Sequence, residues 1–154
     1  MTVLTYERIY VAVDGSKESE FAFEKAVGIA KRNVGSKLYL VHIVDQRATI
    51  AMDFADGGNY ERAVHYAEQL LSGYQMRAAQ LGVEGVELLI EQGAPKKVLV
   101  QKFGPLTEAD LVICGATGLN RVERLLIGSV SDHIIRSSGC DVLVVRTPER
   151  FLTP

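Results

Sequence analysis

The sequence has no apolar run long enough to cross a bilayer. Its longest runs, such as Leu38 to Val44 and Val142 to Val145, fall far short of the about 20 residues a spanning helix needs, so no membrane partner is expected. It also has little net charge. A formal value of -2 leaves no basic footprint for a polyanion, which argues against DNA or RNA as a partner. There are only two cysteines, Cys114 and Cys140, with no CxxC spacing. Each abuts an apolar strand, where small buried thiols are common, and no structural disulfide is expected. The three histidines, His42, His65 and His133, stand at no spacing that makes a metal site, so no metal is assigned to the protein alone. Met1 to Arg8 lacks the basic-then-apolar layout of a signal peptide, and the expected location is cytoplasmic. Low-complexity segments are absent too. The 154 residues read as a single domain spanning 1–154, long enough to bury roughly two-thirds of its unfolded surface.

What is present is an alternation of strand and helix signals from end to end. Hydrophobic residues make up 47% and charged residues 23%, near globular averages, so a packed core is affordable throughout. Arg8 to Val13 reads as the first strand, followed by Asp14-Gly15-Ser16, a turn whose Ser16 suits a helix N-cap. Ala22, Ala26, Ile29 and Ala30 recur at helical spacing up to Arg32, and Gly35 ends that helix. Lys37 to Val44 is a continuous apolar run of the kind buried on both sides in parallel sheets. Asp45 to Asn59 has no clear period and is expected to be a flexible loop or broken turn, a candidate lid or partner surface. Tyr60 to Leu81 is a long amphipathic helix stopped by Gly82. Val86 to Glu91 forms a third strand, a helix opens at Pro95, and Leu111 to Cys114 forms a fourth strand. A last helix covers Ser129 to Ser137 and a last strand covers Asp141 to Arg146. The fold class is α/β: an open, doubly wound sheet of five parallel strands with helices on both faces. In such sheets ligands sit at the carboxyl ends of the strands, near the point where strand order reverses. That rule singles out Asp14 to Ser16 and the segment from Gly115 onward.

The second of these carries a motif. Gly115-Ala116-Thr117-Gly118 is followed, after the nine residues Leu119 to Ile127, by Gly128-Ser129-Val130-Ser131 at a helix start, giving the spacing G-x2-G-x9-G-S. Glycines let backbone amides approach phosphate oxygens, and a helix N-terminus offers unpaired N–H groups with a dipole that favours negative charge. Ser129 and Ser131 add hydroxyls. No lysine follows in the G-x4-G-K-[ST] order and G-x-G-x-x-G is absent, so the usual P-loop and dinucleotide readings fail.

On these residues the chain resembles the universal stress protein family, in the branch that retains the ATP-binding motif G-x2-G-x9-G-[ST]. Val13-Asp14-Gly15-Ser16 resembles the family's opening, and Leu40 to Asp45 resembles its second strand end. Gly139 to Val145 resembles its closing segment, with Asp141 where the family often has proline. The resemblance implies a fold similar to the adenine nucleotide alpha hydrolases. It places Asp14 by the nucleoside, Ala12 and Val13 along the adenine pocket, and the Ile43 backbone against the adenine. Gly115 and Gly118 would flank ribose and phosphates, while Gly128, Ser129, Val130 and Ser131 would hold the phosphate chain. The implied ligand is ATP, with ADP or AMP as variants and Mg2+ bridging the phosphates. A homodimer through the last strand, Asp141 to Arg146, is also implied; that strand is an exposed edge rich in β-branched residues, which pairing with a second copy would cover.

Three functions compete, and the identity of the nucleotide is a further alternative within the first. A sensor or regulatory module in the stress response would use nucleotide occupancy to order its loops. A slow ATPase or autophosphorylating enzyme would need a group to position water and charge to stabilise the transferring phosphoryl group. Asp14 is expected by the nucleoside, and Arg121 and Arg124 read as solvated surface charges, so no catalytic residue is assigned. AMP or a cyclic nucleotide would use the same adenosine pocket, and a nucleotide-free dimer would leave the motif inert. His42, in an apolar run, reads as a satisfied core residue.

Overall fold

The computed structural model describes residues 5–45, 58–103, 108–117 and 127–151. Strand β1 is Arg8–Ala12 and helix α1 is Lys17–Arg32; β2 is Lys37–Asp45 and α2 is Asn59–Gln80. Then follow β3, Glu87–Gly93, and α3, Pro95–Phe103. The chain closes with β4, Leu111–Gly115, α4, Ser129–Ser137, β5, Asp141–Val145, and one 3-10 turn, Glu149–Phe151.

All strand pairs are parallel, and the order across the sheet is β3-β2-β1-β4-β5. The chain winds outward from β1 to β3, then crosses back to β4 on the other side of β1. With right-handed crossovers, that reversal sends the later helices to the opposite face. The packing follows. On one face Ile9 and Val11 of β1 and Leu38 and Leu40 of β2 meet Phe23 and Ala26 of α1 and Leu71 of α2. On the other, Val41, Val112 and Cys114 meet Leu99 and Phe103 of α3 and Ile134 of α4. Phe23 and Phe103 are wholly buried, one in each layer; each such side chain contributes about 1.5–3 kcal/mol over an exposed one. Strand β4 is buried at every residue, as a strand flanked by neighbours and covered by helices must be.

The expected doubly wound five-stranded sheet is therefore the observed one, with element ends displaced by a residue or two. β1 stops at Ala12 rather than Val13, although the Val13 amide still donates to the Val41 carbonyl at 2.9 Å. β2 and β3 both run further than their apolar runs suggest, because their ladder continues to the pair Asp45 and Gly93. Backbone pairing, unlike the apolar pattern, tolerates the polar residues at those ends. β4 gains Gly115, paired with Val145. Of the expected loop from Asp45 to Asn59, Asp45 ends β2 and Gly58 and Asn59 open α2; residues 46–57 lie outside the described residues. No helix among the described residues is long and apolar enough to cross a membrane.

Candidate functional site

The strand order reverses between β1 and β4, and a cleft of about 290 Å³ opens at the carboxyl ends of the strands there. Ala12, Val13 and Asp14 reach it from the end of β1, Ile43 from β2 and Gly115 from β4. Gly128, Ser129, Val130 and Ser131 reach it from the start of α4. The sheet thus brings together nine of the residues singled out in the sequence. The tenth, Gly118, lies outside the described residues, as do Arg121 and Arg124. Val41, Leu99 and Ile134 supply an apolar floor.

Asp14 sits in a tightly bonded turn. Its Oδ1 accepts from the Ser16 amide at 2.9 Å and the Ser16 hydroxyl at 2.6 Å, while its own amide donates to Ser19 Oγ at 3.2 Å. Ser16 is the N-cap of α1, its Oγ accepting from the Ser19 amide at 3.1 Å. Asx-turn and cap share these two serines, which holds the carboxylate in place at the cleft wall. Gly15 between them has φ +88°, which favours glycine in the turn, and a Cβ there would also come within 2.5 Å of the Tyr66 hydroxyl.

The start of α4 is built differently. Gly128 is its N-cap in an extended conformation and offers no side-chain cap, so the amides of Ser129, Val130 and Ser131 begin the helix without one. The Gly128 amide itself donates to the Ala116 carbonyl at 2.7 Å, which fastens the helix start to the end of β4. Ser131 is buried, and its hydroxyl donates to the Gly115 carbonyl at 2.5 Å. The sequence suggested a phosphate contact for that hydroxyl; its proton is instead engaged within the protein, leaving the Ser131 amide. Gly115 is closely packed: an added Cβ would lie 3.1 Å from the Thr117 carbonyl oxygen and 3.2 Å from the Glu18 backbone in the first turn of α1.

His42 also lines the cleft and was missed. Its Nδ1 lies 2.8 Å from the Val13 carbonyl, and its ring meets Tyr66 edge-on at 6.4 Å. The polar satisfaction expected of a core histidine is there, but the group it satisfies belongs to the site. That bond joins residues 29 apart in the chain, so no local pattern announces it. Burial pushes the Cys114 thiol up to about 11, with the neighbouring Ser131 side chain acting in the opposite direction. Burial likewise raises Tyr74 to about 12, helped by the nearby Glu20 and Asp14 carboxylates. Among the described residues no group of His, Cys, Asp and Glu could hold a metal ion.

A cleft with an apolar floor, a fixed carboxylate on one wall and, on the other, helix amides that no side chain of the described residues caps can take a ligand that is flat and apolar at one end and anionic at the other. The chain resembles known proteins along nearly its whole length. Residues 5–146 match the universal stress protein family. A Staphylococcus aureus (strain USA300) protein assigned to the universal stress proteins is 46% identical over 147 residues, covering 96% of this chain and 88% of that protein. Among solved structures, universal stress protein UspA from Lactobacillus plantarum superposes with a TM-score of 0.82 at 29% identity, covering 92% of this chain and 99% of that one. A universal stress protein solved in complex with cAMP superposes with a TM-score of 0.66 at 28% identity, covering 94% and 99%. Its β-α order, its strand topology and these likenesses agree, and the chain belongs to the universal stress protein family.

Proposed function

We propose that the chain is a regulatory module of the stress response that binds an adenine nucleotide, ATP foremost, in this cleft. The observation that carries the reading is the start of α4, without a side-chain cap among the described residues, opening into the same cleft as Asp14. A phosphate group there would cap the helix, since it accepts from the amides of Ser129 to Ser131 and complements the dipole. Asp14 uses Oδ1 within its own turn, so Oδ2 can accept from a ribose hydroxyl. The base would lie against Ala12 and the Val41 side of the floor, its edge on the Ile43 backbone. Mg2+ would be held chiefly by phosphate oxygens and water, as is usual for that ion.

A second reading is supported by the relative solved with cAMP: a cyclic nucleotide would occupy the same pocket with one phosphate at α4. One set of titrations separates them. Calorimetry with ATP, ADP, AMP and cAMP, with and without Mg2+, is expected to rank ATP first; a preference for cAMP would select the second reading, and steady release of ADP would make the chain an enzyme. Gly128→Val should remove ATP binding while leaving the melting temperature within a few degrees, because φ -64° and ψ 160° accommodate any residue. Retained affinity in that variant would dismiss the site.

β5 is an edge of the sheet, with Leu143 37% exposed on it. An open edge of unpaired amides and carbonyls is a template for a second strand, which supports a homodimer built on β5.

A further inference from the structure

The β1-β2 ladder ends one bond early, beside His42. In a parallel pair the bonds run regularly, two residues apart on each strand. Here Ala12 is in register with Val41, and the Val13 amide donates to the Val41 carbonyl at 2.9 Å. The next bond in that series would run from the Ile43 amide to the Val13 carbonyl. Among the described residues it is not made: the Val13 carbonyl instead faces His42 Nδ1 at 2.8 Å. A carbonyl oxygen has no proton to give, so Nδ1 carries it and Nε2 is the acceptor in the neutral ring.

Strand parity gives this diversion its consequence. Val41 and Ile43 present their backbone polar groups to the same side of β2, the side facing β1. Val41 finds Ala12 and Val13 there, whereas Ile43 lies past the end of β1, at the cleft. Its amide and carbonyl form an adjacent donor and acceptor, the pair that matches the edge of a purine carrying an amino group beside a ring nitrogen.

We infer that His42 is a positioning residue: by holding the Val13 carbonyl it keeps the Ile43 amide from closing the ladder and leaves that amide for the ligand's base. The inference rests on the nucleotide reading for its ligand, but the bond and the open amide are properties of the free protein. The same contact anchors the residue preceding Asp14, whose carboxylate is fixed by Ser16. Tyr66, packed edge-on against the ring and close to Gly15, restrains His42 from the α2 side.

The test uses the full chain with His42→Leu and His42→Asn. Asparagine can place its Nδ2 donor about where the histidine Nδ1 sits, while leucine fills space without donating. In nucleotide-free protein, the imidazole nitrogen shifts should report a proton on Nδ1, and Ile43 amide exchange should be fast in wild type and in His42→Asn but slower in His42→Leu. ATP affinity should fall about tenfold in His42→Leu, the size of one hydrogen bond, and stay within about threefold of wild type in His42→Asn. A proton on Nε2 alone, or Ile43 exchange and ATP affinity both unchanged in a folded His42→Leu, would overturn the inference. If wild type binds no adenine nucleotide while the exchange and nitrogen shifts come out as stated, the nucleotide reading fails and the ladder-breaking role stands.

Discussion

Gly115 and Cys114 are neighbours on β4 and answer to different forces. Gly115 is confined by sterics: with Thr117 and Glu18 backbone atoms 3.1–3.2 Å from an added Cβ, neither neighbour can swing aside as a flexible side chain would. Gly115→Ala is expected to destabilise the fold by about 1–3 kcal/mol, the cost of overpacking a tight contact, measured by urea unfolding. An unchanged midpoint would mean that α1 shifts freely. Cys114 is confined by solvation. Its thiol is neutral when protonated and its pKa rises from 9.0 to about 11 on folding, so the folded state holds the proton more tightly than the unfolded chain. Stability is therefore intact below pH 9.0 and is lost as the pH climbs toward about 11. Tyr74, raised from 10.0 to about 12, extends the loss to higher pH with the same sign. Melting temperatures recorded from neutral to strongly alkaline pH should show the decline, and Cys114→Ala should lessen its earlier part, to which the Cys140 thiol, also raised by burial, contributes, while leaving the part due to Tyr74.

The two helices that begin at the cleft show how capping divides structural from binding roles. α1 has Ser16 as its own cap, tied to Asp14, and starts with its orphan amides already provided for. α4 has glycine at the same position and, among the described residues, no side-chain cap for its first turn. A carboxylate placed there should supply what a phosphate would. Ser129→Asp is expected to stabilise the folded chain by about 0.3–1 kcal/mol through the helix dipole, and to weaken ATP binding by charge repulsion with the phosphates. Stability and affinity moving in opposite directions is the signature, read from thermal melts and calorimetry on the same variant. Affinity rising with stability would place the phosphates elsewhere.

Across the whole molecule, the sheet order decides which surfaces are open. β1 and β4 are interior and β3 and β5 are edges. β3 carries Glu87 and Glu91 in ion pairs with Lys37 and Lys102, charges that discourage strand addition. β5 offers Leu143 and β-branched neighbours instead. Leu143→Lys should convert a dimer into a monomer in sedimentation equilibrium, with nucleotide affinity kept because Leu143 does not line the cleft. A variant that remains dimeric would move the interface away from β5.

The sequence alone determined the element types, the fold class and most of the cleft, because those signals are local: a period of two or 3.6, a serine before a helix, glycines at loop positions. Asp14 and the Gly128 to Ser131 segment were legible as a site because the sheet rule places strand ends together whatever the details. Only the tertiary structure decided that Ser131 gives its hydroxyl proton to Gly115, that Glu18 presses on Gly115, and that His42 takes the Val13 carbonyl. Each of these joins residues far apart in the chain at hydrogen-bond or van der Waals range. Contacts that close depend on how strands and helices stack in space, and no pattern along the chain encodes it.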